Sequence, residues 1–250
     1  MLASNEEDFQ VVRKLRKEIL LPKYQNFATI EDEELFLFND DDKQSFVYLL
    51  QHRQTKKYVG TARVYFVTST TPQKIMPMER YSHSKKLKYL SQTLPKCEVS
   101  RLALTKKLIN QKNLSTIQLR TYLSLALMIA TRINFFLHHY PVVFAIMEPS
   151  QHRILKRQGV NFEQIGEAVD YYGTRTPFAI ERKKLLRETE ETMGKITRYY
   201  LKELCSDPEK FWQFIDHNPY LERSDIRLER ICRLFETHGE DVDLSLLLED

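Results

Sequence analysis

The chain has 250 residues, 42% hydrophobic and 29% charged, with a formal net charge of +4. This is enough apolar material for one large domain, or a medium domain and a small one, and it excludes a disordered or fibrous chain. The mild basicity gives no reason to expect nucleic-acid binding, though it would favour an acidic protein partner. The three scattered cysteines, Cys97, Cys205 and Cys232, form no Cys-x-x-Cys pair, so they fit a reducing compartment and imply no metal site.

The first eight residues are acidic and carry no apolar signal core, so a cytoplasmic protein is expected. Residues 6–21 place Phe9, Val12, Leu15, Ile19 and Leu20 at helical spacing, which predicts an amphipathic helix ending near Pro22, with Arg13 and Arg16 beside the stripe. An acidic stretch follows (Glu31 to Glu34, then Asn39, Asp40, Asp41 and Asp42). It reads either as a solvated loop or as a cap over a cleft. Residues 45–52 and 58–67 are apolar strands joined by Arg-Gln-Thr-Lys-Lys, a hairpin in which Gly60 permits a bulge or close backbone approach. Residues 68–96 make a long excursion with a Lys-rich helical piece over 84–90 that includes Lys85, Lys86 and Lys88. Loops this long usually have a task.

The strand over 97–104 is the centre of the sequence. Simple alternation puts Glu98, Ser100 and Leu102 on one face and Val99, Arg101 and Ala103 on the other. Charges among apolar strand residues are either members of structural ion pairs or in use, because an unpaired buried charge is very costly. Arg101 is therefore expected to meet a buried carboxylate such as Asp42. Residues 115–139 then predict one long buried helix, interrupted as a membrane span by Arg120 and Arg132 and stopped by Pro141. A continuous apolar strand (142–147) follows, then a helix (150–158) capped by Gly159, and strands over 162–165, 168–172 and 176–180. This order is an α/β sandwich around a mixed, mostly antiparallel sheet. From about residue 181 the pattern is helical only: 182–204, a start at Ser206-Asp207-Pro208, 224–238 and a short piece over 242–248. Two units are expected, residues 1–181 and a helical extension, 182–250, that the sheet does not need in order to fold.

Four segments in order resemble the acyl-homoserine-lactone-synthase-like branch of the GNAT acyltransferase fold, above all exosortase-associated acyltransferases and N-acyl amino acid synthases. They are Leu15-Arg16; residues 45–64 with Pro77-Met78-Glu79; Glu98-Val-Ser-Arg; and Ala145-Ile-Met-Glu-Pro-Ser with Arg153, Gly159-Val-Asn-Phe-Glu-Gln-Ile-Gly166 and Tyr171-Tyr-Gly173. The resemblance spans about residues 9–181. It implies a three-layer sandwich that transfers a fatty acyl group from a phosphopantetheine thioester to an amine, with the acyl chain between splayed central strands. By the same resemblance Glu98 holds the general-base position, Ser100 sits beside the reacting centre, and Arg16, Asp42, Arg63 and Arg101 form the substrate-binding charged cluster, joined by Met147 and Glu148. This chain departs from the family at Leu20, where an aromatic is usual, and at Asn39 with Asp42, where paired aspartates are usual. Phe27 stands for a tryptophan common in the synthases. These departures bear on lactone formation and on the acceptor.

The chemistry suits those residues. A protonated amine must lose a proton before it attacks a thioester, and a carboxylate with a pKa raised by desolvation can take it. Backbone amides near Leu102 and Ala103 would serve the oxyanion. Cys97 as a nucleophile has no histidine partner in view. Residues 105–118 contain no glycine, whereas a coenzyme A pyrophosphate loop needs glycines for backbone amides to close on the phosphates. That favours an acyl carrier protein as donor, with Lys106, Lys107 and Lys112 either docking it or forming a solvated basic loop. A coenzyme A-dependent acyltransferase and a non-catalytic acyl-binding scaffold are the competing readings. No bound cofactor or metal is expected.

Overall fold

The computed structural model describes residues 1–24, 37–105, 116–216, 223, 226–239 and 242–247. β1 (Ser45–Gln51), β2 (Tyr58–Val67) and β3 (Lys96–Leu104) form an antiparallel meander. β4 (Val142–Met147) lies parallel to β3, β7 (Thr174–Glu181) runs antiparallel to β4, and the short β5 (Glu163–Gln164) and β6 (Val169–Asp170) both pair with β7. The helices are α1 (Glu6–Tyr24), α2 (Asp40–Lys43), α3 (Lys85–Leu90), α4 (Thr116–Leu137), α5 (Pro149–Arg157), α6 (Arg182–Glu188), α7 (Glu190–Ser206), α8 (Pro208–Asp216) and α9 (Leu228–His238).

Both faces of the sheet are covered, which is why β1, β2 and β4 read as apolar runs. On one face Phe46, Ala62, Val64, Phe66, Cys97, Val143 and Ala145 pack under α4 and the helices after it. On the other face α1 lays Val12 and Leu15 on Val47 and Leu49, and farther along Met76, Met78 and Leu87 cover Tyr65, Val67 and Phe144. The last group belongs to the long excursion, whose task is thus to roof the middle of the sheet. It contains a 3-10 turn, Pro77–Arg80, and α3, whose Ser84 hydroxyl caps the helix by accepting the Leu87 N–H at 3.0 Å. Gly60 answers to its expected role: a Cβ there would stand 2.7 Å from Leu104 Cδ2 and 3.1 Å from the Ala103 carbonyl oxygen. Helix α1 runs on through Pro22 to Tyr24. A proline so near the helix end removes one hydrogen bond at little loss.

The expected single helix over 182–204 is broken at Thr189. Its hydroxyl donates to the Leu185 carbonyl (2.8 Å) and accepts from Arg132 Nε (2.9 Å). Arg132, buried on α4, also donates to the Thr197 hydroxyl, the Leu186 carbonyl and Glu190. A sequence reading cannot see a helix break imposed by a side chain 57 positions away. Residues Leu186, Met193, Leu201, Phe211, Ile231 and Phe235 share one apolar cluster with the sheet. Ending the chain after Arg187 would therefore strip that cluster and leave Arg132 without Thr189, Thr197 and Glu190. The expected result is insoluble protein; a soluble fragment with a cooperative melt would contradict it.

Among the described residues no helix is long and apolar enough to cross a membrane, and no group of three or more His, Cys, Asp or Glu is placed to hold a metal ion.

Candidate active site

Pairing of β3 with β2 is regular from Lys96 to Ser100, then slips. Arg63 faces Ser100 and Thr61 faces Ala103, so Arg101 and Leu102 together stand opposite Ala62. This is a β-bulge, and Arg101 takes it up with φ of +57°, a left-handed conformation that non-glycine residues adopt only when the surroundings enforce it. The bulge shifts the alternation by one. Cys97 and Val99 face the α4 core before it, and Leu102 and Leu104 face that core after it. The expectation for this strand is thereby corrected twice. Leu102 turns its side chain away from Glu98, and Arg101 joins the Glu98 face, within electrostatic reach of Arg63, Asp42, Tyr171 and Tyr172.

On that face lies a buried charged cluster between the patch covered by α1 and the patch covered by the Pro77–Arg80 turn. Arg16, reaching in from α1, donates to Asp42 Oδ1 at 2.8 Å and to the Leu37 carbonyl at 2.9 Å, and is 0% exposed. Arg63 of β2 lies 3.5 Å from the same carboxylate oxygen and donates through Nε to the Ser100 hydroxyl at 3.0 Å. Asp42 is presented by α2, whose start is closed by the Asn39 N–H donating to Asp42 Oδ2 at 3.1 Å. The acidic stretch at this end is thus helical, with Asp41 and Asp42 buried and Asp40 exposed. Burial alone would raise the Asp42 carboxyl, but Arg16, Arg63 and Arg101 outweigh it and hold it at about 2. Burial pulls Arg16 down to about 10, offset in part by Asp42. Arg16 still keeps two nitrogens, Nε and one terminal nitrogen, buried without a hydrogen-bond partner among the described residues. Among the described residues the ion-pair partners of Asp42 are thus Arg16 and Arg63, where the sequence suggested Arg101; Arg101 adds its field.

Glu98 stands at the far side of this cluster, 1% exposed. Its Oε2 accepts the Met78 backbone N–H at 2.7 Å, the donor being the 3-10 turn that roofs it. Burial pushes the carboxyl up to about 7. Arg63 and the Met78 N–H oppose the rise and the nearby Asp41 adds to it. A carboxyl balanced at that value exchanges a proton near neutral pH. Asp41 is held by Arg80 in a bidentate pair of 2.7 and 2.8 Å, which ties α2 to the roof across the top of the site. At the rim Tyr81 stacks on Tyr171 with ring centroids 3.8 Å apart.

Pairing between β3 and β4 is limited to Cys97 with Val143 and Glu98 with Phe144. Beyond Glu98 the two parallel strands part, so the carboxylate lies at the point where they diverge. The backbone of Ser100 to Leu104 lines one edge of the gap and Ala145 to Met147 the other.

Of the expected site residues, the structure thus gathers Arg16, Asp42, Arg63, Glu98, Ser100 and Arg101. Met147 lies in the α4-side core, and Glu148 sits 3.5 Å from Arg175 of β7, whose guanidinium lies over the Tyr171 ring. Lys106, Lys107 and Lys112 lie outside the described residues, as does Phe27. Asp41, Arg80, Glu79 and Lys96 belong to the site's frame; the sequence reading gave none of them a role there, though it named Asp41 in the acidic stretch and Glu79 in the segment Pro77-Met78-Glu79. The one signal available was the Asn39-to-Asp42 spacing, which fits a helix start.

A meander of three antiparallel strands leading into a splayed parallel pair, with helices on both faces, is a GNAT-like architecture. No family model matches the chain, and no curated protein does. Among solved structures it is similar to FeeM, an N-acyl amino acid synthase from uncultured soil microbes, at 15% identity over 76% of this chain and 98% of that one, with a TM-score of 0.49. It is also similar to the AHL synthase LasI (13% identity, 76% and 92% covered, TM-score 0.47) and to Escherichia coli ElaA (15%, 71% and 92%, 0.44).

Proposed function

We propose that this protein is an N-acyltransferase that moves a fatty acyl group from an acyl carrier protein thioester to a small amine, with Glu98 as general base. The observation that carries the reading is Glu98 itself, a buried carboxyl titrating near 7 where β3 and β4 diverge. In the reaction the amine nitrogen bonds to the thioester carbon and passes its proton to Glu98. The tetrahedral oxyanion takes hydrogen bonds from backbone amides near Leu102 and Ala103. Collapse breaks the C–S bond, and the thiolate leaves and recovers the proton. No covalent enzyme intermediate is needed; Cys97 is buried in the opposite core with its thiol pushed well up by burial, the reverse of an activated nucleophile.

Two buried Arg16 nitrogens that have no hydrogen-bond partner among the described residues support an acceptor that carries an acidic group, as an amino acid does. The test is to supply acyl carrier protein thioesters with a panel of amino acids and neutral amines and to look for N-acyl products by mass spectrometry. Bound but unreacted lipid would favour an acyl-binding scaffold instead.

The donor makes a separate expectation. Lys85 and Lys88 on α3 are exposed and Lys86 pairs with Glu163 at the surface; with the basic stretch after β3 they would attract an acidic carrier. Raising ionic strength from about 0.05 to about 0.5 M should raise KM for the acyl carrier protein and leave a short acyl-pantetheine nearly unaffected. Charge reversal at Lys106 and Lys107 should mimic the salt. Equal use of acyl-coenzyme A, with the same salt response, would replace the carrier protein with coenzyme A.

A further inference from the structure

We infer that Glu79 and Lys96 are positioning residues for Glu98: their ion pair fixes the Pro77–Arg80 turn against β3 and so keeps the Met78 N–H on the Glu98 carboxylate. The inference rests on Glu98 as the base, and it goes beyond that reading by naming what sets the base's environment.

Lys96 begins β3 and lies two positions before Glu98, ahead of the bulge, so both side chains leave the strand on the same face. Lys96 is 6% exposed, a degree of burial that a lysine tolerates only when paired. Its Nζ donates to both oxygens of Glu79, at 2.9 and 3.2 Å. The same Glu79 carboxylate accepts the Met76 backbone N–H at 2.7 Å, closing the start of the turn. One residue before Glu79, Met78 turns its own N–H to Glu98 at 2.7 Å, and its side chain is buried completely over Tyr65 and Phe144. The turn is thus tied to β3 by two adjacent points, a charged one at Lys96 and the N–H at Glu98. If stability were the whole purpose, an apolar pair of similar volume would serve as well, because taking an ammonium and a carboxylate out of water offsets most of their attraction. The pair supplies direction, since a salt bridge with a backbone N–H on the same carboxylate leaves the turn one orientation.

If the pair is removed, the turn keeps, among the described residues, its apolar contacts, Arg80 on Asp41 and the Met78 N–H on Glu98, with no charged tie to β3 beside that N–H to hold its direction. Water then reaches Glu98, and because burial is the largest influence raising that carboxyl, its titration should move downward.

The experiment uses the full chain and two variants. Glu79→Leu combined with Lys96→Met removes the pair without stranding either charge, and Glu79→Asp keeps the charge but shortens the reach. The Glu98 carboxyl carbon is followed by NMR titration in each protein, beside the pH profile of kcat, with thermal melts as a check on folding. In both variants the Glu98 midpoint should fall by about half a pH unit or more, with kcat's acid limb moving in step and KM changing less than about twofold. Should the double variant fail to fold, Glu79→Asp alone decides. A folded variant whose Glu98 midpoint stays at the parent value overturns the inference, and the base reading survives. A midpoint that moves while the limb of kcat stays in place upholds the positioning and sinks Glu98 as the base.

Discussion

Glu98→Gln should leave the fold intact and slow acyl transfer by about 10²–10⁴-fold, the range that follows loss of a general base. The glutamine keeps the volume and can still accept the Met78 N–H through its oxygen, so only proton acceptance is lost. In the parent, Glu98 is pushed up to about 7, so the competent carboxylate fills as pH rises and kcat should climb through that value. Stability runs the other way. The folded value lies above the ordinary 4.5, so the native state binds the proton more tightly than the unfolded chain, and this group's contribution falls as pH rises from about 4.5 through about 7. The glutamine variant escapes that loss and should melt no lower than the parent at about pH 8. Product formation measured from about pH 5 to 9 checks the first point, and near-parent turnover would remove Glu98 from the mechanism.

Asp42→Ala is expected to be the most damaging single change in the frame, destabilising by about 3–5 kcal/mol. It takes the only direct carboxylate from Arg16 and Arg63 among the described ion pairs and leaves two buried guanidinium groups facing each other. The sign with pH follows from a carboxyl held at about 2 against an ordinary 3.8. Its stabilisation is complete above about pH 4 and is lost as pH falls through 2. The parent should therefore weaken in acid more steeply than the variant. Urea unfolding at neutral pH that shows a difference below about 1 kcal/mol would mean that the cluster relaxes and admits water. Arg101→Ala should be milder, since Asp42 keeps both direct partners and the left-handed backbone at Arg101 relaxes or passes to a smaller residue.

Much of this fold could be read from local pattern. The strand limits over 58–67 and 142–147 match the apolar runs residue for residue, and the long buried helix differs from its expectation only at the ends. Glu98 and Arg101 were legible because charge within an apolar strand is costly without a partner, whereas Arg16, Arg63 and Asp42 entered through the resemblance. What escaped has one physical cause: it depends on residues far apart in sequence. The bulge at Arg101 follows from how β3 meets β2, and it reverses the facing of every residue after it. The break at Thr189 needs Arg132. Arg80 finds Asp41 at a separation of 39 residues, and Lys96 finds Glu79 at 17. No periodicity records such pairs.

The parting of β3 from β4 has a consequence for self-association. A strand edge with open amides and carbonyls invites another chain to add to it, and outer edges are normally blunted for that reason. Here the open edges face each other in the middle of the sheet, with β2 on one side and β7 on the other. A neighbouring molecule cannot lay a whole strand there without prising the sheet apart. Among the described residues, that unpaired backbone is thereby presented little to the protein's own copies.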